Sequence, residues 1–382
     1  MNTPIPMQCN TFYEQIKTCP NLDLRDPRGK IHCLAFVLLG VIISLSRNRD
    51  GVLSSIHRSM VNTHKALCTH MKLDGLFVVS RAQLPLILKK LDVDIFNELI
   101  MSFFGIKLTD NQKEWFASDG KELRGSILKG DTRGEAVVQI VGHKNRIVYK
   151  QGFYNGKKES ERPCVSQLLD DEIGSQKITL DALHLIPETV KKIEKQKGVF
   201  VIGVKENQQE LLEDMKMITS KDKPVAQHSD TEKSNGRIDT RAYMGFTLKN
   251  SYFDQRWQDA NFQTVIKVER HSYNCKNKTE SNEMSYYISN QKLKQDGTDN
   301  ELFNAIRGHW NVETNNHIRD VTLKEDNLKT KYPTMARNMA TCRTGLLNLL
   351  YQLNLKNIKA KLEEFADNFQ TLLKWLTKCN FL

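Results

Sequence analysis

Residues 115–126 read WFASDGKELRGS, and the reading of the fold starts from this segment. An apolar run at 115–117 leads through one serine to Asp119, and Gly120 follows at once. The pattern predicts a buried strand that ends in a carboxylate. A carboxylate in such a segment costs free energy unless it is paired or bound to a metal ion. The stretch therefore predicts a polar site at a strand end.

Two further acids stand in unusual settings. Asp181 follows the apolar residues of KITLDALHL, residues 177–185, which predicts a second strand end. Glu313 lies in RGHWNVETNNH, residues 307–317. Spacings of three and four predict one helix stripe there, whose members are Arg307, Trp310, Glu313, Asn316, His317 and Asp320. We expect Trp310 to anchor this helix while Glu313 points at bound metal ions.

The three acids together point to one chemistry. Taken singly, each acid is better explained as a strand-end cap or a salt-bridge partner. If the fold brings Asp119, Asp181 and Glu313 together, their oxygens can bind two divalent ions. Two such ions are the means by which many enzymes cleave and transfer phosphodiesters.

Five strings in this chain resemble those of a known family. They are DGKELRGS (119–126), TLDALH (179–184), VKENQ (204–208), GRIDTR (236–241) and RGHWNVETNNHIRDVTLKEDN (307–327). In the same order, the ISAs branch of insertion-sequence transposases, which includes the H-repeat-associated proteins, reads close to DGKTLRGS, ADALH, VKGNQ, HGRIETR and HWxIENxLHWxLDVxFxED. Residues 22–45 also resemble the helical region that precedes the catalytic domain in this family. The resemblance spans nearly the whole chain.

The resemblance implies a DDE transposase with Asp119, Asp181 and Glu313 as catalytic triad and metal ligands. The implied cofactor is a pair of Mg²⁺ ions, with Mn²⁺ as a substitute. The implied substrate is double-stranded DNA, both the terminal inverted repeats of the element and the target. A homodimer or higher assembly is expected because two ends must be brought together.

Some positions depart from the family pattern. They are Glu122, Asn235, Thr314 and Asn316, and none of them is a predicted metal ligand. A related branch carries Tyr, Arg and Lys seven before, four before and seven after its glutamate. Here those positions hold Ile306, His309 and Asp320, so that branch's hairpin-forming excision step is not carried over.

The order of elements predicts an α/β fold with a ribonuclease-H-like catalytic core, a mixed sheet flanked by helices. We expect an N-terminal helical domain at 1–108 that binds DNA ends, the first part of the core at 109–208, a mainly β insertion at 209–292, and a return helix with C-terminal helices at 293–382. Residues 241–247, 264–270 and 284–289 predict strands of the insertion. The polar segment 221–236 predicts a mobile loop.

Composition fits a DNA enzyme. Lys and Arg number 56 against 45 Asp and Glu, a net charge of +11, which suits a polyanionic partner. The eight cysteines contain no CxxC pair, which favours reduced thiols over a zinc site. The most apolar stretch, residues 33–45, is shorter than the roughly 20 residues of a spanning helix, so a buried core helix is expected. We expect a cytoplasmic, nucleoid-associated protein.

Further polar residues in these motifs are candidates for DNA contact. They are Lys121, Arg124, Lys205, Gln208, Arg237, Arg241, His309 and His317. For the lysines, the arginines and Gln208, a solvated or paired group is about as good an explanation. For His309 and His317, packing of the helix is the better explanation. The chain is thus expected to cleave element ends and join their 3′ hydroxyls to target DNA. The alternatives are a ribonuclease-H-like nuclease or resolvase, a domesticated non-catalytic DNA-binding protein, and a metal hydrolase that does not act on DNA.

Overall fold

The computed structural model describes residues 10–47, 50–104, 108, 113–234, 236–248, 253–293 and 301–382. The helices in these ranges are α1 (Phe12–Thr18), α2 (Leu34–Leu45), α3 (Leu53–Met71), α4 (Gln83–Leu88), α5 (Val93–Phe103), α6 (Lys158–Leu168), α7 (Asp171–Gly174), α8 (Pro187–Lys195), α9 (Gln209–Lys221), α10 (Glu301–Gly308), α11 (Trp310–His317), α12 (Pro333–Tyr351), α13 (Ile358–Asp367) and α14 (Phe369–Lys378). The strands are β1 (Trp115–Glu122), β2 (Ala136–Gly142), β3 (Val148–Tyr154), β4 (Lys177–Leu180), β5 (Val199–Val204), β6 (Ala226–Ser234), β7 (Arg237–Thr247), β8 (Thr264–Asn274) and β9 (Thr279–Ser289).

All of these strands belong to one mixed sheet in the order β3-β2-β1-β4-β5-β9-β8-β7-β6. The first three strands are antiparallel, and β1, β4 and β5 run parallel to one another. An antiparallel trio followed by two parallel strands, in the order 3-2-1-4-5, is the ribonuclease-H-like arrangement. The predicted fold class, an α/β sheet flanked by helices, is confirmed.

Helices cover both faces of the central sheet, as the alternation of side chains along β1 requires. Phe116 is fully buried in the core that α6, α8 and α9 complete on one face. Its neighbour Ala117 points to the other face and packs with Val312 of α11. Every residue of β2 is buried, because α11 and α12 cover its second face. The central strands therefore read as nearly continuous apolar runs.

The insertion is largely β, but it extends the catalytic sheet. β9 pairs antiparallel with β5, and β8, β7 and β6 follow outward. The predicted strand segments lie within β7, β8 and β9, each of which has 11 residues. The prediction of a mobile loop at 221–236 is wrong over most of its length, because residues 226–234 form β6, paired with β7 throughout. Its polar sequence, AQHSDTEKS, reflects an exposed edge strand.

The helices from the two ends of the sequence share one apolar core. Buried side chains of α1–α5 pack with those of α12–α14, and α2 is buried on all sides over its full length. Residues 83–103 form two helices, α4 and α5, because the side chain of Asp92 caps a new start by accepting the Ile95 amide hydrogen. Within the described ranges, no helix combines the length and apolarity needed to cross a bilayer. The domain boundary at 108 and the DNA-end role of the first segment stay predictions.

Candidate active site

Asp119 and Asp181 lie at the same level of two neighbouring parallel strands. Asp119 lies within β1, which continues to Glu122, so the prediction that the strand ends at Asp119 is wrong. Asp181 comes directly after β4, as predicted. The parallel register pairs Ser118 with Leu180, which places the next residue of each strand side by side. β5, the next strand, ends one residue before Lys205 at the same edge. In open α/β sheets, ligands bind at this carboxyl edge of the strands.

Glu313 reaches the same place from the helix layer. Asn316 of α11 donates a hydrogen bond from Nδ2 to Asp119 Oδ2 at 3.1 Å. Residues three apart lie on one face of a helix, so Glu313 points toward the same acids as Asn316. The prediction that Trp310 anchors the helix is wrong, since Trp310 is 45% exposed. The fully buried Val312 and Asn315 hold the helix on the sheet.

The charges of these acids act on one another. Burial raises the pKa of Asp119 to about 6, and Glu161, Glu313 and Asp181 add to the effect by repulsion. Burial and the Asp181 charge also raise the pKa of Glu313. For Asp181, the cost of burial is outweighed by Lys205, whose Nζ lies 3.0 Å from Oδ1, so the pKa is lowered. The site therefore carries concentrated negative charge. Among the contacts named here, Lys205 is the lysine that offsets it.

The donor chemistry fits hard divalent cations. Carboxylate and amide oxygens are the ligands that Mg²⁺ prefers, and a cation would remove the repulsion that raises the pKa of Asp119 and of Glu313. In the described part of the chain, however, no three His, Cys, Asp or Glu side chains lie close enough together to enclose one ion. The acids are therefore neighbours that do not enclose an ion in this arrangement. To form a metal site, their side chains must move closer together, and Asp181 must break its ion pair with Lys205.

A fourth carboxylate beside Asp119 was missed by sequence reasoning. Glu161 of α6 accepts a hydrogen bond from the Tyr154 hydroxyl at 2.9 Å and lies 3.2 Å from His184 Nε2. A Cβ at Gly120 would come within 2.7 Å of Glu161 Cδ, so the glycine is what lets this side chain approach β1. His184 is the last residue of the TLDALH string and offered a signal, whereas Glu161 stands in no motif.

The insertion also contributes a residue next to the site. Tyr287 of β9 pairs with Gly203 of β5, and its ring lies near the place where a side chain at 203 would begin. Burial raises the pKa of Tyr287 to about 12, and the charges of Glu283, Asp181 and Glu313 act in the same direction. The phenol is therefore neutral at physiological pH and available as a hydrogen-bond donor at the acid cluster.

The candidate DNA contacts divide into two groups. Lys121 is 7% exposed and ion-paired with Asp320 at 2.7 Å. Gln208 and Arg241 are buried as well; Gln208 donates to the Leu185 carbonyl oxygen, and Arg241 pairs with Asp230 and Asp239. The other group is open to solvent or partly so, and consists of Arg124, Lys205, Arg237, His309 and His317. For both groups a role in DNA binding stays a prediction, and only the second group has side chains at the surface.

The pKa of Asp119 leads to a stability prediction. Its value of about 6 lies above the ordinary 3.8, so the folded state is penalised for the charge as pH rises through 3.8 to 6, and fully so above 6. We expect Asp119→Asn to raise the Tm in EDTA by roughly 2–4 °C at pH 7.5, which corresponds to about 1 kcal/mol in the free energy of unfolding. The increase should become smaller as the pH falls below 4. Thermal unfolding followed by circular dichroism at both pH values measures it. Asp259→Asn, at an exposed carboxylate, is the control; an equal gain at both pH values for Asp119→Asn would contradict the prediction.

Comparison with known proteins places the chain in a family. Residues 111–349, more than half of the chain, match the family described as the transposase DDE domain. YbfL of Escherichia coli strain K12 is 29% identical over 67% of this chain and 68% of its own length. YhhI of the same strain, which carries the provisional name of an H repeat-associated transposase, is 28% identical over the same shares. YncI of E. coli O157:H7, provisionally named a transposase, is 27% identical over 72% of each chain.

One solved structure also aligns with this chain. It is the piggyBac transposase in a synaptic complex with hairpin DNA, with a TM-score of 0.45, 11% sequence identity, and coverage of 96% of this chain and 80% of the other. At this score the alignment adds nothing to the fold, which rests on the strand order. The family match covers β1 to β9 and the helices that carry Glu313 and its supports. The chain belongs to the transposase DDE domain family.

Proposed function

We propose that this protein is a DNA transposase that cleaves DNA at the ends of a mobile element and joins the resulting 3′ hydroxyls to target DNA. The proposal is supported by the nearness of Asp119, Asp181 and Glu313 at one edge of a ribonuclease-H-like sheet, in a chain of the DDE family. The basic net charge of +11 suits a DNA partner.

Asp119, Asp181 and Glu313 are proposed to hold two Mg²⁺ ions, for which Mn²⁺ can substitute. When bound, such ions supply positive charge at the attacking and the leaving oxygen of an in-line displacement. Asn316, which already contacts Asp119, is placed to keep that carboxylate turned toward Glu313. Glu161 would keep negative charge beside Asp119 and so favour cation binding there.

Both chemical steps are displacements at phosphorus and can share these acids. In the first step the oxygen of water bonds to the scissile phosphorus, and the bond from phosphorus to the 3′ oxygen breaks. One water proton ends on the released 3′ hydroxyl, and the other is lost to solvent from the new 5′ phosphate. In the second step the oxygen of that 3′ hydroxyl bonds to a target phosphorus. The target's 3′ oxygen leaves and takes the proton.

We propose that Lys205 gives up its ion pair with Asp181 and pairs with a DNA phosphate instead. Its side chain is 70% exposed and stands at the end of β5, beside the acids. An exposed ion pair of this kind contributes only about 0–1 kcal/mol, so little opposes the exchange. Once Lys205 has moved, the oxygens of Asp181 are free to bind a cation, while the ammonium offsets phosphate charge. DNA and metal binding would therefore promote each other.

This exchange has a measurable consequence. Lys205→Ala should weaken binding to end DNA and lower the slope of log Kd against log salt by about one, because one phosphate contact is lost. Fluorescence anisotropy at several salt concentrations, in Ca²⁺ to prevent cleavage, measures both quantities. Lys374→Ala, an exposed lysine of α14, serves as the matched control. If Lys205 only neutralises Asp181, the slope of Lys205→Ala will equal that of the wild type.

The function is tested with two DNA substrates in Mg²⁺. The inverted repeats that flank the gene, found by sequencing the adjacent DNA, define a labelled duplex for cleavage and a pre-cleaved duplex for joining to a plasmid. Cleavage and joining are both expected. Cleavage without joining would identify a nuclease or resolvase, and binding without either would identify a non-catalytic DNA-binding protein. Analytical ultracentrifugation with and without the duplex tests the proposed homodimer or higher assembly.

A further inference from the structure

A threonine hydroxyl joins two histidines directly beside the acid cluster. Thr179 lies on β4, two residues before Asp181. Its Oγ1 is 3.0 Å from His143 Nε2, 3.0 Å from His309 Nδ1 and 3.2 Å from the Phe116 carbonyl oxygen. His143 belongs to the turn after β2, and His309 immediately precedes α11, so the contact ties three elements of the site together.

One arrangement of hydrogens satisfies all three contacts. A threonine hydroxyl has one hydrogen to donate and two lone pairs to accept with. The Phe116 carbonyl can only accept, so the Thr179 hydrogen must go there. Both imidazoles must then donate, His143 from Nε2 and His309 from Nδ1. A neutral imidazole carries one N–H, which leaves His309 Nε2 with a free lone pair.

The packing around this triad keeps the His309 ring in place. A side chain at Gly308 would overlap the His143 ring, so residue 308 has to be a glycine for the two histidines to approach. Asn311 of α11 donates from Nδ2 to the His143 carbonyl oxygen at 2.6 Å, which fixes the turn against the helix. Within the described ranges, the hydrogen bonds of the His309 ring are those with Thr179, through its hydroxyl and its backbone, and the ring is partly exposed and adjacent to Asp181.

We propose that His309 is a positioning residue for the nucleophile: its Nε2 accepts a hydrogen bond from the oxygen that attacks phosphorus, first water and then the 3′ hydroxyl. Thr179 sets this role by holding the hydrogen on Nδ1. The inference rests on the proposed function, since it concerns the same reaction.

The tautomer is tested without reference to activity. In protein labelled with ¹⁵N-histidine, long-range proton–nitrogen correlation spectra distinguish the two nitrogens, and the signals lost in His309→Asn assign the residue. We expect the hydrogen on Nδ1 in the wild type and in Thr179→Ser, which keeps the hydroxyl. In Thr179→Val the hydrogen should redistribute toward Nε2. A wild-type ring with its hydrogen on Nε2 would overturn the proposal.

The role is tested by the choice of nucleophile. His309→Gln places an amide oxygen near the Nε2 position, whereas His309→Asn keeps only a donor toward Thr179. We expect His309→Gln to retain most of the end-cleavage rate and His309→Asn to lose about tenfold, which corresponds to the contribution of one hydrogen bond.

A second test adds glycerol as a competing nucleophile. The His309→Asn variant should then also change the ratio of glycerol adduct to hydrolysis product. Equal ratios in wild type and Asn would overturn the proposal. Absence of cleavage by the wild type would instead reject the proposed function, and the spectra would still report the tautomer.

Discussion

Replacing Asp119 by Asn, or Glu313 by Gln, is expected to lower the rate of DNA end cleavage by about a thousandfold. Metal ions contribute several kcal/mol of charge stabilisation to such displacements, and about 4 kcal/mol corresponds to that factor. Both substitutions keep the size of the side chain and remove the negative charge. End-DNA binding should remain within about threefold of the wild type, because the acids repel DNA more than they attract it.

The comparison of single and double variants makes the test sharper. Residues that act as one unit show non-additive losses, so the double variant should cleave no more slowly than either single variant. Asp259→Asn, at a 71% exposed carboxylate paired with Lys191, is expected to cleave like the wild type. Single-turnover cleavage of labelled duplex in Mg²⁺ provides the rates of the wild type and of the four variants. Wild-type rates for Asp119→Asn would remove the acid cluster from the chemistry.

The second large effect is expected at Glu325, in the buried support of the site. Its carboxylate forms a paired contact with Arg319 at 2.8 and 2.7 Å, and Arg343 lies 3.9 Å away. All three side chains are almost fully buried. Glu325→Gln leaves both arginines without a counter-charge, which should destabilise the fold by about 3–5 kcal/mol. Urea unfolding monitored by tryptophan fluorescence measures the difference.

The pH dependence of this loss has a definite sign. Burial alone would raise the pKa of Glu325, but the charges of Arg319 and Arg343 outweigh it and lower the value to about 2. The stabilisation is therefore complete above the ordinary pKa of 4.5 and declines as pH falls from 4.5 toward 2. The gap between wild type and Glu325→Gln should narrow in that window. The exposed control Glu364→Gln should change stability by less than about 1 kcal/mol, and a similar small change at Glu325 would contradict the prediction.

The parts of the fold that sequence could predict are those where burial imposes a pattern. β1, β4 and β5 are apolar because helices cover them, so these strands were visible in the sequence, although β1 continues past Asp119 to Glu122. β6 was not, because an edge strand with polar side chains looks like a loop. The prediction that Trp310 anchors its helix failed for the opposite reason. Its ring lies at the surface near the Arg307 guanidinium, while the smaller Val312 makes the buried contact.

The candidate site shows the same division. Asp119, Asp181 and Glu313 could be named from their motifs as candidates, and the structure places them near enough for their charges to act on one another. Glu161 and Tyr287 could not, because they reach the site through the packing of α6 and the pairing of β9 with β5. Lys121 looked like a DNA contact because it follows Asp119 closely. Its ion pairs come from residues about 200 positions later, which no local pattern reveals.

The helical core built from both ends of the sequence affects how the chain must be made. α2 is apolar on every side, and α12, one of its partners, begins roughly 290 residues after α2 ends. At about 5–20 residues per second, a ribosome needs roughly 15–60 s to supply that partner. During this time the nascent α2 can be shielded only by its N-terminal neighbours or by a chaperone. Early termination of synthesis would thus release an aggregation-prone fragment.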